Sequence, residues 1–184
     1  MKRLMSILLW VALLSGCARE GDLEDVLSLR SQLLASPCSF DTRITADYGD
    51  MVYLFSLHCD ASPDGSVRFQ VTSPESIVGI GGSLSADGGK LTFDDTALAF
   101  GLLADGQISP VGAPYVLMKA LLGGYVTTYG KDGDTMCVTI RDSYADDALT
   151  VDLWLKEQTY PIRAEILYDG RRILTMELEN IAIG

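Results

Sequence analysis

Residues 38–59 read CSFDTRITADYGDMVYLFSLHC, and apolar and polar residues alternate on both sides of the turn signal Asp47-Tyr48-Gly49-Asp50. Period-two alternation marks a half-buried strand, and a Gly/Asp cluster between two such runs marks a hairpin. Pairing Ala46 with Met51 sets Ile44 against Tyr53, Thr42 against Phe55, Phe40 against Leu57 and Cys38 against Cys59. One side then holds Phe40, Ile44, Met51, Tyr53, Phe55 and Leu57. The other holds Ser39, Asp41, Arg43, Thr45, Ser56 and His58, with Val52 and Leu54 as apolar exceptions. The same register brings the two cysteines opposite each other, where a cross-strand disulfide is possible. The alternative is two separate buried thiols. A bridge closing a loop of this length contributes on the order of 3 kcal/mol.

Further along, the text stays rich in strands. Val67, Phe69 and Val71 alternate with Arg68, Gln70 and Thr72. Ile77–Ser85 is glycine-rich and reads as a pair of short irregular strands around Gly81-Gly82, followed by an Asp87-Gly88-Gly89 turn into Leu91–Phe93. Asp94–Leu103 fits either a capped helical turn or an apolar strand. After a loop over Ser109–Pro114, Pro114 opens a helix running to Leu122, with Gly123 as its stop. From Tyr125 strands and turns alternate: Tyr125–Tyr129, a turn at 131–134, Thr135–Asp142, a turn at Asp146-Asp147 and Leu149–Lys156. Pro161–Leu167 and Arg171–Asn180 form a last hairpin. A two-residue Asp169-Gly170 loop sets Ile162 against Glu177. A three-residue loop sets Ile162 against Met176 and Ala164 against Leu174, and the apolar pattern favours this second, bulged form. Ahead of the first hairpin, Leu23, Val26, Leu27, Leu33 and Leu34 share a helical stripe ended by Pro37, so Leu23–Ser36 is expected to be an amphipathic helix. The expected fold is α+β and mainly β: one open, strongly curled antiparallel sheet, an unclosed half-barrel, with an N-terminal and a central helix on its concave side.

The first 16 residues are a secretory signal peptide, with Lys2 and Arg3, an apolar run from Leu4 to Leu14 and small residues at the end. The run is shorter than the ~20 apolar residues that cross a bilayer. The ending Leu14-Ser15-Gly16-Cys17 resembles the lipobox of bacterial lipoproteins, which implies that Cys17 becomes the lipidated first mature residue. Residues 17–22 then form a tether, and 23–184 one domain. Export places Cys38 and Cys59 where disulfides form, which favours their bridge. The chain carries net charge −11, and removing Lys2 and Arg3 takes it to −13. Such a body has no electrostatic case for nucleic acid. Ala18, rather than Asp, follows the cysteine, which in a Gram-negative host resembles outer-membrane sorting.

The order of elements, with the ending Val151–Leu155, Tyr160–Glu165, Tyr168–Arg172 and Met176–Ile183, resembles the LolA/LolB superfamily of lipoprotein carriers and its LppX-like relatives. With the lipobox it is also similar to a Gram-positive branch containing the clostridial spore germination lipoprotein. The resemblance implies a hydrophobic cavity between sheet and helices that binds a lipid or acyl chain. It also implies a membrane-anchored body on the extracytoplasmic side of the cell envelope, without catalysis. The alternative is a protein–protein scaffold that partners a cell-wall or germination enzyme without lipid cargo. Candidate ligand residues are Phe40, Ile44, Tyr53, Phe55, Leu57 and Phe69.

No constellation points to catalysis, a cofactor or a metal. His58, the one histidine, is read as a surface or rim residue. Gly81-Gly82-Ser83-Leu84-Ser85 only superficially resembles a nucleophile elbow. Asp132-Gly133-Asp134 is read as a turn, since no calcium loop with a terminal Glu follows. Cys137 has no metal-ligand spacing to the other cysteines and is expected to be a buried free thiol. Trp154 points away from Leu153 and Leu155, either under a helix or toward a partner.

Overall fold

The computed structural model describes residues 21–93, 96–100, 103–104, 107–145, 148–157 and 160–184. The expected signal peptide, Cys17, Asp94 and the expected turn at Asp146-Asp147 lie outside the described residues. Helix α1 spans Gly21–Ala35, starting two residues earlier than expected from its stripe. The first meander is β1 (Cys38–Asp47), β2 (Val52–Ala61), β3 (Val67–Ser73), β4 (Gly81–Ser85), β5 (Gly88–Phe93) and β6 (Thr96–Phe100). A small ribbon, β7 (Leu103–Ala104) with β8 (Gln107–Ile108), leads to helix α2 (Ala113–Gly123). The second meander is β9 (Tyr125–Asp132), β10 (Thr135–Arg141), β11 (Thr150–Lys156), β12 (Tyr160–Tyr168) and β13 (Arg171–Ile183).

Both meanders belong to one antiparallel sheet of eleven strands, in the order β6-β5-β4-β3-β2-β1-β13-β12-β11-β10-β9. The first and last long strands, β1 and β13, zip the two halves together, and the edge strands β6 and β9 do not pair. The sheet is therefore an open half-barrel, as expected. The chain must pass from the β6 edge to the β9 edge, and it carries α2 with it. An α2 that is buried from Ala113 to Met118 and again at Ala120 and Leu121 can only sit inside the concavity. Glycine-rich residues 77–85 give a 3-10 turn at Glu75–Ile77 and one strand, β4, rather than two strands. Asp94–Leu103 resolves in favour of strand at Thr96–Phe100.

The first hairpin corrects the expected register. Asp47 pairs with Val52, Tyr48 N–H donates to the Met51 carbonyl at 3.0 Å, and Gly49 takes φ +91° at the tip. Ile44 therefore faces Phe55, Phe40 faces Cys59, and Cys38 faces Ala61. A shift of two residues leaves every side chain on its face but changes every partner. Cys38 and Cys59 are both buried free thiols, and the expected disulfide is not made. Burial, then Asp60, pushes the Cys38 thiol up to about 11. Burial first, then Asp41 and Asp60, raises Cys59 as well. Neither is poised as a thiolate nucleophile.

The last hairpin also departs from expectation. Tyr168 pairs with Arg171 across a two-residue loop in which Asp169 and Gly170 both have positive φ, +49° and +71°. A bulge between Ile166 and Leu167 then shifts the ladder so that Ala164 meets Met176 and Ile166 meets Leu174. The bulge restores apolar pairing that a straight ladder would have lost.

Inside the concavity, Ile44, Leu57, Leu153, Leu155, Ile166, Leu174 and Met176 are almost wholly buried. Thr42 shares that face, facing Leu178 on β13 and Leu57 on β2. Its Oγ1 is buried without a hydrogen-bond partner, alone in this among the described residues. An unpaired buried hydroxyl costs about 1–3 kcal/mol. Thr42→Val keeps the branched shape and is expected to raise stability by about 1 kcal/mol. Urea denaturation checks it; an unchanged or lower midpoint would show that the hydroxyl is satisfied.

Candidate functional site: the apolar cleft beneath two helices

Helix α1 meets the sheet through Val26, Leu29 and Leu33, a stripe at helical spacing. Leu27 and Leu34, expected on that stripe, face outward at 47% and 52% exposure. Helix α2 brings Leu117, Met118 and Leu121 down beside them. The floor is Cys38 and Phe40 of β1, Pro161 of β12, and Leu178, Ile181 and Ile183 of β13. Between these lies a cleft of about 20 Å³ lined by apolar residues only, with room for about one water.

One side chain ties the helices together. Arg30 of α1 donates from Nε to the Leu121 carbonyl at 2.6 Å, and from Nη2 to the Gly124 carbonyl at 2.8 Å and the Ala120 carbonyl at 3.4 Å. They cluster at the C-terminal end of α2, where a cation is favoured, and the Ala120 carbonyl also accepts the Gly124 N–H at 2.9 Å. Gly124 permits the chain to turn there, because a Cβ would lie 2.5 Å from Ile140 Cγ2 and 2.6 Å from the Ala120 carbonyl oxygen.

Of the six candidate ligand residues, Phe40 lines the cleft. Ile44, Phe55, Leu57 and Phe69 are buried on the same inner face. Tyr53 is the exception: 45% exposed, it lies toward the rim with its hydroxyl 3.2 Å from Met51 Sδ. Cleft residues on α2, β12 and β13 could be read from sequence only as apolar positions. Their convergence depends on how the helices cross the sheet. Burial fades along the floor toward β6. Phe69 is covered, Leu91 is half-covered, and Phe93 and Leu98 are 58% and 65% exposed. Gly82 lies under the Phe69 ring, which a Cβ would approach to 2.6 Å.

The convex face is polar. A depression of about 220 Å³ is lined by Asp41, Arg43, Ser56, Glu177 and Glu179 among others. Its Arg43–Glu177 ion pair, at 3.2 Å, is more than half exposed on both sides and contributes little. His58 Nδ1 lies 2.7 Å from Asp41 Oδ1 and its Nε2 lies 4.0 Å from Asp60 Oδ1. Both ring nitrogens face carboxylates. Among the described residues no group of three or more side chains could hold a metal. Asp132 ends its strand at a hairpin turn and accepts a 2.8 Å bond from Trp154 Nε1. Trp154 is on the convex face under Arg163, whose guanidinium carbon is 5.1 Å from the ring centre; among the described residues no helix covers it. Arg163 and Arg172 both pair with the buried carboxylate of Glu165. Cys137, half-buried on the same face, is free.

Hydrogen bonds from Asn180 Nδ2, at 2.8 Å, and from His58 lower the Asp41 pKa below the usual carboxylate value. A depressed folded value means that Asp41 adds stability above its unfolded pKa, about 3.9, and loses it as pH falls through the folded value. The Asp41 carboxyl is expected to titrate below about 3.9 by NMR, and Asn180→Ala to move that titration upward. An unmoved midpoint would remove Asn180 as the main cause.

The site thus defines a class: a helix-plugged, open β half-barrel with an apolar interior. No family model and no curated protein matches the chain. Solved structures with a similar arrangement include an uncharacterized conserved protein from Thermus thermophilus (11% identity, TM-score 0.48, 88% of this chain and 87% of that one). They also include a LolA superfamily protein from Nitrosomonas europaea (10%, 0.46, 86% and 93%). A third is the Mycobacterium tuberculosis lipoprotein LppX (13%, 0.42, 86% and 92%). LolA-type and LppX-type proteins are among those that the sequence resembles.

Proposed function

We propose that this chain is an envelope lipoprotein anchored through Cys17, with its body on the extracytoplasmic side. In this reading it binds a lipid or acyl chain beneath α1 and α2 and performs no covalent chemistry. The observation that carries the reading is the wholly apolar cleft between two helices and the sheet floor. At about 20 Å³ the cleft holds no acyl chain as it stands. Uptake therefore requires α1 and α2 to part from each other above the floor, and the Arg30 bonds to α2 oppose that motion.

The test is native mass spectrometry of the mature protein purified from its host membranes. Lipid at near one per protein is expected. Ile181 is only half-buried at the cleft, so Ile181→Asp should keep the fold, placing a carboxylate where an acyl chain must pass, and bound lipid should fall at least about tenfold. Cys17→Ala should release the protein from membranes without reducing lipid uptake. Equal lipid in Ile181→Asp and the parent would remove the cleft as the binding site.

A second reading, docking of an envelope protein such as a cell-wall enzyme, is favoured by exposed Phe93 and Leu98 on the inner face. A partner lost in Leu98→Glu, from a protein free of lipid, would support it.

A further inference from the structure

We infer that one corner of the molecule, the N-terminal end of α1 with the β9 edge and the ring pair Tyr125–Tyr144, lies against the bilayer. This rests on lipidation of Cys17. Only Ala18, Arg19 and Glu20 separate Cys17 from Gly21, where α1 begins. Four residue steps span at most about 14 Å even when fully extended. The start of α1 is therefore held close to the headgroups, and the body cannot turn freely about a long leash.

Helix α1 packs against β9. Arg30, nine residues along α1 from Gly21, is about 13 Å from the helix start at 1.5 Å per residue. It bonds the Gly124 carbonyl, and Tyr125 is the next residue. The Tyr125 and Tyr144 rings lie against each other with centroids 3.8 Å apart and planes tilted by 37°, at 40% and 77% exposure. Asp142 and Ala145, on either side of Tyr144, are held in place. Arg141 Nη2 donates to the Ala145 carbonyl at 3.0 Å, Lys119 of α2 pairs with Asp142 at 3.0 Å, and Leu149 N–H donates to Asp142 Oδ1 at 2.9 Å. Tyrosines with an apolar ring and a wet hydroxyl suit the headgroup level of a membrane. The partner is a zwitterionic lipid surface. Glu24 and Asp25 on the first turns of α1, in a chain of net charge −11, disfavour an anionic one.

The test places a single tryptophan by depth in the full lipidated protein, with Trp154→Phe as background. Tyr144→Trp and Phe93→Trp are compared in phosphatidylcholine vesicles containing brominated acyl chains, after flotation has shown attachment. Quenching at Tyr144→Trp at least about twofold above Phe93→Trp is expected. A flexible insertion of about 15 residues after Glu20 should shrink that difference. Attached protein with equal quenching at both positions, or more at Phe93→Trp, overturns the orientation while leaving the anchor intact. Protein that does not float, yet binds lipid in solution, overturns the anchor and the orientation with it.

Discussion

Arg30→Met is expected to loosen the two helices from each other while leaving the sheet intact. Methionine keeps much of the apolar stem but donates nothing. The Leu121, Gly124 and Ala120 carbonyls then lose a charged donor at 2.6, 2.8 and 3.4 Å. Bonds to a charged group contribute about 1.5–3 kcal/mol each. The site is only partly buried, so water takes over some of that role, and a net loss of about 2 kcal/mol is expected. That loss falls on the helices. Amide exchange in α1 and the last turn of α2 should accelerate roughly 30-fold, with β1 and β13 unchanged. Loading of a fluorescent fatty acid should quicken in parallel. Arg30→Lys should fall between, since an ammonium is a point donor and cannot span three carbonyls as a fork. Unaltered exchange in α1 would mean that apolar packing by Val26, Leu29 and Leu33 holds the helix unaided.

Alternation was enough to sort residues onto faces. Phe40, Ile44, Phe55, Leu57 and Phe69 are all inside, because a period of two tolerates any even error in register. Partners were not legible for the same reason. The Cys38–Cys59 bridge depended on a register that differs by two residues from the one adopted. The turn decided it: Tyr48 and Met51 close the loop by a backbone bond that their side chains do not advertise. Tyr53 has the inward parity, yet it lies beyond the cover that the helices provide. How far a helix reaches over a sheet is set by packing, not by strand alternation. Arg30 was invisible because its partners are backbone carbonyls some 90 residues away, and carbonyls carry no residue signature. At Asp169-Gly170 the turn residues favour two-residue loops while the apolar pattern favoured three. The structure satisfies both by moving the bulge into the ladder between Ile166 and Leu167.

Gly82→Ala is expected to be costly out of proportion to one methyl group. A Cβ at that position would sit 2.6 Å from the Lys90 carbonyl oxygen on β5, and 2.6 and 2.8 Å from two ring atoms of Phe69. The ring can swing away, but the β5 backbone cannot retreat without disturbing the Gly82↔Leu91 and Ser83↔Lys90 pairs. Overpacking of this kind costs about 1–3 kcal/mol, and the upper end is expected because a ladder carbonyl is involved. The effect should localise to β4, β5 and β6, the wing that joins the rest of the sheet only through β3. Gly130→Ala is the control: nothing lies within 4 Å of its Cβ position, and a change within about 0.5 kcal/mol is expected. A double-mutant cycle separates the two contacts. If the ring dominates, Gly82→Ala should cost at least about 1 kcal/mol less in a Phe69→Leu background than in the parent. If the Lys90 carbonyl dominates, the two costs agree. Gly82→Ala with a parent-like urea midpoint would show that β4 and β5 yield where the geometry says they cannot. The close seating of Phe69 on the inner floor would then be no constraint on the fold.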